Sequence, residues 1–347
     1  MTVHRRHFVK GLLGLLGILP RLATSFGSTC AIAQTKVETI KALTSLSNPS
    51  IRYKVPGSPF TVLTKDAIDA VVVDNRAVTG EVLQAHRAGY SGIALLRHRE
   101  QQRNIFVPDY SGLNFEHIHD GTLQADDVLF EPRRAPMELR VINDHRIELY
   151  QLPTPHWKLE SATRYELMER GAIEMSFECI PHAANYANGY IGLFWASYID
   201  QPESVDIHFL GPEGWIRGIS PTRGEKAVHR AIHDDREFAF EAAFAKRLTL
   251  PFSFSEHRYR EPWYFGIRRG MALAFIFRSR DMIRLTQAPS GAGIGNPAWD
   301  FQYFIEAPEV GKRYQMVMRA LYLPYKSHEQ VQRAVGPHLR ALDKHSQ

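Results

Sequence analysis

Between residues 137 and 150 the chain reads Met137-Glu138-Leu139-Arg140-Val141-Ile142-Asn143-Asp144-His145-Arg146-Ile147-Glu148-Leu149-Tyr150. Two runs rich in aliphatic and β-branched residues flank the pair Asn143-Asp144. Branched and aromatic side chains favour strands, whereas Asn and Asp favour turns. The stretch therefore predicts a β-hairpin.

Similar runs recur along the chain, separated by turn signals. Further pairs are predicted between 157–167 and 172–179, 190–199 and 205–210, and 264–267 and 271–277, with other strands at 60–63, 67–73, 90–96, 104–107, 282–286, 299–305 and 314–325. Parallel sheets need intervening helices, and almost no helical periodicity separates these runs. We therefore expect an all-β fold, a large antiparallel β-sandwich. The one predicted helix is short, C-terminal (328–345) and interrupted at Gly336-Pro337.

The first 33 residues have the pattern of an export signal. Arg5-Arg6-His7-Phe8-Val9-Lys10 precedes an apolar run from Gly11 to Leu19, and Ala31-Ile32-Ala33 suits signal peptidase. The run is shorter than the ~20 apolar residues that span a bilayer. This pattern resembles the twin-arginine motif, which implies a periplasmic or secreted protein exported folded by the twin-arginine machinery, a transient partner.

Removal of residues 1–33 leaves two predicted segments. Residues 34–49 are polar and rich in Ser and Thr, and we expect a flexible leader there. Residues 50–347 are expected to form a single large β-sandwich domain, and a small N-terminal lobe up to about residue 150 is the alternative.

The charge and cysteine content of the sequence exclude several classes of protein. The formal charge is +5, and residues 1–33 contain four positive side chains and no acid, so the remainder carries +1. No run of basic residues interleaved with aromatics follows residue 34, so we predict no nucleic-acid partner. Cys179 is alone in the mature chain, which excludes an internal disulfide. We also predict no membrane span in the mature chain.

Two histidines and two carboxylates lie within Glu116-His117-Ile118-His119-Asp120. Alternate strand residues share a face, so His117 and His119 are expected on one face and both acids on the other. An imidazole and a carboxylate are ordinary partners for proton transfer near neutral pH. We predict His117 and His119 as catalytic residues without a cofactor. The alternative is that the same pair binds a divalent metal with a third ligand from elsewhere.

A second candidate locus is Trp299-Asp300-Phe301-Gln302. Alternation places Asp300 and Gln302 on one face, and the two aromatic side chains on the other. A carboxylate beside an amide suits the vicinal hydroxyls of a sugar, although an exposed polar face would give the same pattern. We predict Asp300 as a catalytic carboxylate, and Trp299 and Gln302 as substrate-binding residues.

Several stretches carry a wider resemblance: His86 to Gly92, Asn114 to Gly121, Asn185 to Gly192, Gln287 to Gly291 and Pro297 to Gln302. Together they resemble a group of exported bacterial proteins of unassigned activity, over most of the mature chain. The order of strands is also similar to the galactose mutarotase-like supersandwich. That fold hosts aldose epimerases and the sandwich domains of polysaccharide lyases and glycoside hydrolases. The analogy implies a carbohydrate ligand and assigns no residue.

The remaining substrate-binding candidates are His86, Arg87, Asn185, Tyr186 and His257. An aromatic ring can stack on a sugar and an amide can bind its hydroxyls, but Asn and Gly in the 185–190 segment equally favour a turn. His257 lies in a charged, alternating segment that is typical of an outward strand face.

These observations predict an exported carbohydrate-active protein with acid/base chemistry on a sugar or uronate-containing saccharide. Epimerase, lyase and hydrolase activities all fit. Two alternatives stay open: a non-catalytic carbohydrate-binding or cell-envelope protein, and a metal-dependent enzyme that uses His117 and His119.

Overall fold

The computed structural model describes residues 44–344 except 77, 81 and 219–221. The predicted signal at 1–33 lies outside these residues. The strands are β1 (Phe60–Lys65), β2 (Ile68–Val73), β3 (Gly92–His98), β4 (Asn114–His119), β5 (Met137–Asn143), β6 (Arg146–Gln151), β7 (Leu159–Leu167), β8 (Ala172–Pro181), β9 (Tyr190–Ala196), β10 (Ile207–Leu210), β11 (Trp215–Gly218), β12 (Val228–Ala231), β13 (Phe254–Tyr259), β14 (Trp263–Arg268), β15 (Met271–Phe277), β16 (Arg284–Ala288), β17 (Ala298–Glu306) and β18 (Tyr314–Pro324). The helices are α1 (Asp126–Leu129), α2 (Glu131–Arg134), α3 (Ala242–Arg247) and α4 (His328–Lys344), and Ser279–Asp281 forms a 3₁₀ turn.

The strands form three sheets. A nine-stranded sheet has the order β11-β10-β14-β15-β18-β8-β7-β6-β5, a six-stranded sheet the order β13-β12-β16-β17-β9-β4, and a small sheet the order β1-β2-β3. The pairs are antiparallel except for β12 with β13. The predicted all-β antiparallel sandwich with a C-terminal helix is confirmed.

The two large sheets pack face to face through aromatic side chains. Phe115 of β4 lies 5.3 Å from Phe177 of β8, and Phe301 of β17 lies 4.9 Å from Phe277 of β15, measured between ring centroids. Trp195 of β9 stacks on both Phe115 and Phe301. Each such ring buries about 150–250 Å². This core fixes the inner face of the six-stranded sheet and leaves its outer face for the site.

Helix α4 covers the outer face of the nine-stranded sheet. Its Val331, Val335 and Leu342 are buried against residues of β14, β15 and β18. The helix continues through Pro337, so the predicted interruption there is wrong. Packing of its apolar side offsets the backbone hydrogen bond that proline removes. Among the described residues, no helix is long and apolar enough to cross a membrane.

The hairpins predicted at β5–β6, β7–β8 and β14–β15 are confirmed. The predicted pairing of 190–199 with 205–210 is wrong, because β9 pairs with β4 and β17 whereas β10 joins the other large sheet. Strand pattern gives the face that a residue occupies, not the partner of the strand. The short helices α1, α2 and α3 were also not predicted.

The described end of the predicted leader is anchored to the nine-stranded sheet. The backbone amide of Thr44 donates to Glu178 over 3.0 Å, and that of Ser45 donates to Glu148 over 2.9 Å. Thr44 is fully buried. These contacts satisfy part of the hydrogen-bonding capacity of two buried carboxylates. A flexible leader at 34–49 stays a prediction.

Candidate active site

Strand β4 contains a β-bulge at Glu116. Phe115 is paired with Trp195 and His117 with Phe194, so Glu116 is an extra residue with no partner opposite. A bulge places two successive side chains on one side of a sheet. Glu116 and His117 therefore share the outer face. The expectation that alternation sends Glu116 to the opposite face is wrong.

A cavity of about 120 Å³ lies against this outer face. Four polar side chains of the sheet region line it: Glu116, His117, Tyr198 and Asp300. The cover comes from α1 and its C-terminal neighbour Phe130, from the end of α3, and from residues 223 and 248–250. The cavity thus joins chemistry-bearing residues from three separated parts of the chain.

Hydrogen-bond donors surround the Glu116 carboxylate. The Tyr198 hydroxyl lies 2.9 Å from Oε1 and 2.7 Å from Oε2. Arg133 Nη1 donates to Oε1 and Asn114 Nδ2 to Oε2, each over 3.3 Å. Burial and the nearby Glu116 charge raise the pKa of Tyr198 well above its ordinary value. The tyrosine therefore keeps its proton and acts as a donor.

Asp300 is buried beside this carboxylate. Its Oδ1 accepts from the Ser197 backbone amide over 3.1 Å, and its Oδ2 has no hydrogen-bond partner among the described residues. Burial, and then the negative charge of Glu116, raise the pKa of Asp300 well above its ordinary range, against smaller opposing effects of the Ser197 amide and Arg223. This shift favours the protonated, neutral form of the Asp300 carboxyl group.

His117 presents an unprotonated nitrogen. Its Nδ1 lies 2.9 Å from the Leu129 carbonyl oxygen, which can only accept, so Nδ1 carries the hydrogen. Burial lowers the pKa of His117, so the ring is neutral. Its Nε2 therefore keeps a lone pair, 3.8 Å from Glu116 Oε1. The cavity combines this basic nitrogen with an acidic carboxyl group.

His119 shares the outer face and does not line the cavity. The rings of Tyr190, Phe244, Phe252 and Phe304 surround it at 5.1–6.2 Å. Neither ring nitrogen has a hydrogen-bond partner in the described part of the chain, and burial lowers the pKa of His119 to about 3. His119 is a neutral imidazole in an aromatic cage.

The alternation predicted at 299–302 is confirmed, since Trp299 and Phe301 belong to the core between the sheets. Trp299 consequently cannot reach the cavity, and its indole nitrogen donates to the Val205 carbonyl over 3.3 Å. Gln302 is on the Asp300 face, where it donates to Thr286 over 2.8 Å, and does not line the cavity.

The other substrate-binding candidates also lie away from the cavity. Tyr186 stacks on Trp157 and donates to its carbonyl, and Asn185 donates to the His156 carbonyl. These bonds make the segment a structural turn.

The side chains of His86, Arg87 and His257 do not line the cavity either. His86 is buried with Nε2 2.9 Å from the Tyr90 carbonyl oxygen, Arg87 is exposed, and His257 is an exposed residue of β13.

Sequence reasoning missed Tyr198 and Arg133. Tyr198 lies two residues beyond the end of β9 and within the strand predicted at 190–199, so alternation could have placed it on the outer face. Arg133 comes from a four-residue helix that no sequence pattern indicated. Both meet Glu116 across more than 15 residues of chain, a proximity that sequence spacing does not encode.

The described residues contain no complete set of ligands for the alternative in which His117 and His119 bind a metal. In residues 44–344, outside the undescribed positions, no three His, Cys, Asp or Glu side chains are grouped to hold a metal ion. His119 is enclosed by rings, and His117 Nδ1 is occupied by the Leu129 carbonyl. Metal binding by this pair stays a prediction.

Comparisons with known proteins found only distant similarities to solved structures. No protein-family model and no curated protein matches the chain. A candidate aldose 1-epimerase from Escherichia coli K12 aligns with 9% identity and a TM-score of 0.44, over 77% of this chain and 99% of its own. A galactose mutarotase-like protein from Lactobacillus casei aligns with 7% identity and a TM-score of 0.43, over 76% and 99%.

A mutant of heparan sulfate lyase from Pedobacter heparinus aligns with 11% identity and a TM-score of 0.40, over 80% of this chain and 37% of the lyase. Likeness at this level assigns no chemistry, and the resemblance to exported bacterial proteins stays a prediction. The fold and cavity define a β-sandwich protein with a buried acid/base cluster.

Proposed function

We propose that the protein is a carbohydrate-active enzyme that performs acid/base chemistry on a sugar or uronate-containing saccharide. One observation carries the proposal: the carboxyl groups of Asp300 and Glu116 and the imidazole of His117 line the same cavity. Titratable groups whose environments differ in this way are the usual basis for assigning acid and base. The sandwich fold and the predicted export signal support a saccharide substrate.

Each residue has a distinct role. His117 Nε2 accepts a proton from the substrate, and the Glu116 carboxylate stabilises the imidazolium that forms. Asp300 donates its proton to a substrate oxygen, either the leaving-group oxygen or an oxygen on which negative charge develops. Arg223 lines the cavity and stabilises negative charge that develops. In an epimerase, the proton comes from the anomeric hydroxyl and the acid protonates the ring oxygen. In a lyase, it comes from the carbon next to a carboxylate.

The dimensions of the cavity restrict the reacting unit. Ligand pockets usually span roughly 300–1,000 Å³, and this cavity measures about 120 Å³. We therefore expect it to receive one sugar residue, or the end of a saccharide. Hydrolysis is a further reaction type that two carboxyl groups could perform.

A non-catalytic carbohydrate-binding protein is the second candidate. The rings of Tyr90, Tyr110 and Tyr198 lie 4.6–5.6 Å apart beside the cavity. Such a cluster offers aromatic surface for a sugar ring. This alternative predicts saccharide binding without turnover.

An activity screen tests the proposal. Purified protein is incubated with aldoses, whose mutarotation is followed by polarimetry, and with uronate polysaccharides, whose elimination products absorb ultraviolet light. Asp300→Asn and His117→Gln should each lower the rate by about 10²–10⁴. Asp144→Asn, an exposed turn residue with 92% side-chain exposure, is the matched control. Binding without turnover by the wild type would favour the second candidate, and unchanged rates in both variants would reject the assignment.

A further inference from the structure

A second cavity lies beside the first. It measures about 520 Å³ and is lined by Asn75, Gly89, Asp126, Phe130, Arg133 and Arg134, among others. Phe130 lines both cavities. The volume is within the usual range for a ligand pocket, about 300–1,000 Å³. The larger cavity thus continues the smaller one across a shared wall.

Two ion pairs connect the cavities. Arg133 lines the second cavity and donates to Glu116 of the first. Asp126 lines the second cavity and is paired with Arg247 of the first, with Nε at 3.0 Å. Each pair offsets the formal charge of its members, so neither gives the second cavity a net charge.

Arg134 is left as the uncompensated charge of the second cavity. It is exposed, and no ion pair or hydrogen bond of its side chain is found in the described part of the chain. A guanidinium group has five donors in a planar fork that matches carboxylate and sulfate geometry. Arg133 is already fixed beside it by its bond to the Gly89 carbonyl over 2.8 Å and by the Tyr90 ring at 4.0 Å.

We propose that this second cavity binds the acidic group of a saccharide whose reacting residue occupies the first cavity. The inference rests on the proposed function and specifies its substrate class as an anionic oligosaccharide. Arg134 supplies the recognising charge, and Arg133 joins the bound anion to Glu116. A uronate carboxylate and a sulfate ester present the same oxygen chemistry to this site.

Equilibrium binding to the full mature chain tests the proposal. The probes are di- and trisaccharides of galacturonate, glucuronate, mannuronate and guluronate, each with its carboxyl-reduced neutral counterpart, together with sulfated galactose oligosaccharides. Binding is measured by calorimetry on Asp300→Asn, so that turnover does not interfere. We expect at least one acidic probe to bind more tightly than its neutral counterpart, and the preferred series distinguishes carboxylate from sulfate.

Variants then assign the preference to the second cavity. Arg134→Gln should weaken binding of the preferred acidic probe about tenfold, as loss of a charged hydrogen bond does, and leave neutral probes unchanged. Arg97→Gln, an exposed arginine of β3, is the control and should change neither. Equal affinity for acidic and neutral probes, or equal effects of both variants, would overturn the inference.

The outcomes also separate this inference from the proposed enzyme activity. Charge-dependent binding through Arg134 with no turnover of any probe by the wild type supports the acidic-saccharide site and rejects catalysis. Turnover of neutral sugars that Arg134→Gln leaves intact supports catalysis and rejects the acidic subsite.

Discussion

Replacing Asp300 with asparagine should change the pH dependence of stability. The pKa of Asp300 is raised in the folded protein, so the folded carboxyl keeps its proton at pH values where the unfolded carboxyl, with an ordinary pKa of 3.8, has lost it. Stability is therefore lost as pH rises above 3.8, at about 1.4 kcal/mol per pH unit, until the folded pKa is reached. Asparagine does not ionise and removes this dependence.

The measurement is urea-induced unfolding of wild type and Asp300→Asn at intervals from pH 5 to pH 8. The amide oxygen can keep the bond from the Ser197 amide. The new NH2 group takes the place of Oδ2, which has no hydrogen-bond partner among the described residues, and costs a pH-independent amount, about 1–3 kcal/mol. The test therefore depends on the slope. As pH rises from 5, the free energy of unfolding of the variant should gain on that of the wild type, by at most about 1.4 kcal/mol per pH unit and only up to the folded pKa of Asp300. Asp144→Asn should run parallel to the wild type, and a difference between Asp300→Asn and wild type that stays constant with pH would refute the buried, protonated state.

Three further predictions concern the site, the core and export. Tyr198→Phe removes the hydroxyl that donates to Glu116 and should cost about 1–3 kcal/mol in urea unfolding and also lower turnover; a variant that matches the wild type in both would contradict this role. Phe177→Ala opens the core between the large sheets and should cost about 3–5 kcal/mol, and a loss below about 1 kcal/mol would mean that the two sheets do not pack there. Arg5→Lys combined with Arg6→Lys should retain the unprocessed protein in the cytoplasm on cell fractionation, whereas continued export of this variant would argue against the twin-arginine route.

Alternation along strands predicted part of the site. At 299–302 the strand is regular, so Asp300 could be placed on the face opposite the two aromatic residues, and the structure has it there. The fold class was equally accessible, because hairpins such as β5–β6 carry their own turn residues. These features depend on residues that are close together in the sequence.

The rest depends on contacts between distant segments. The bulge at Glu116 depends on the pairing of β4 with β9, and nothing in the pattern of residues 114–120 distinguishes a bulged strand from a regular one. Arg133 reaches Glu116 from a helix of four residues. His119 is a second example. Its spacing from His117 suggested a metal ligand, but the aromatic rings around it come from distant parts of the chain: β9, α3, β17 and residue 252.

The Glu116 carboxylate reaches the cavity because β4 contains one residue more than its partner strand β9 at this point. Phe115 and Ile118 both belong to the core although their positions are three apart, an odd spacing that the extra residue reconciles. Substitution at 116 would change the chemistry of the cavity but leave both anchors in place. Deletion of that single residue would restore a regular ladder, keep the core in phase and remove the carboxylate from the cavity. In homologous chains, a one-residue gap at this point would therefore mark loss of the Glu116 carboxylate from the cavity.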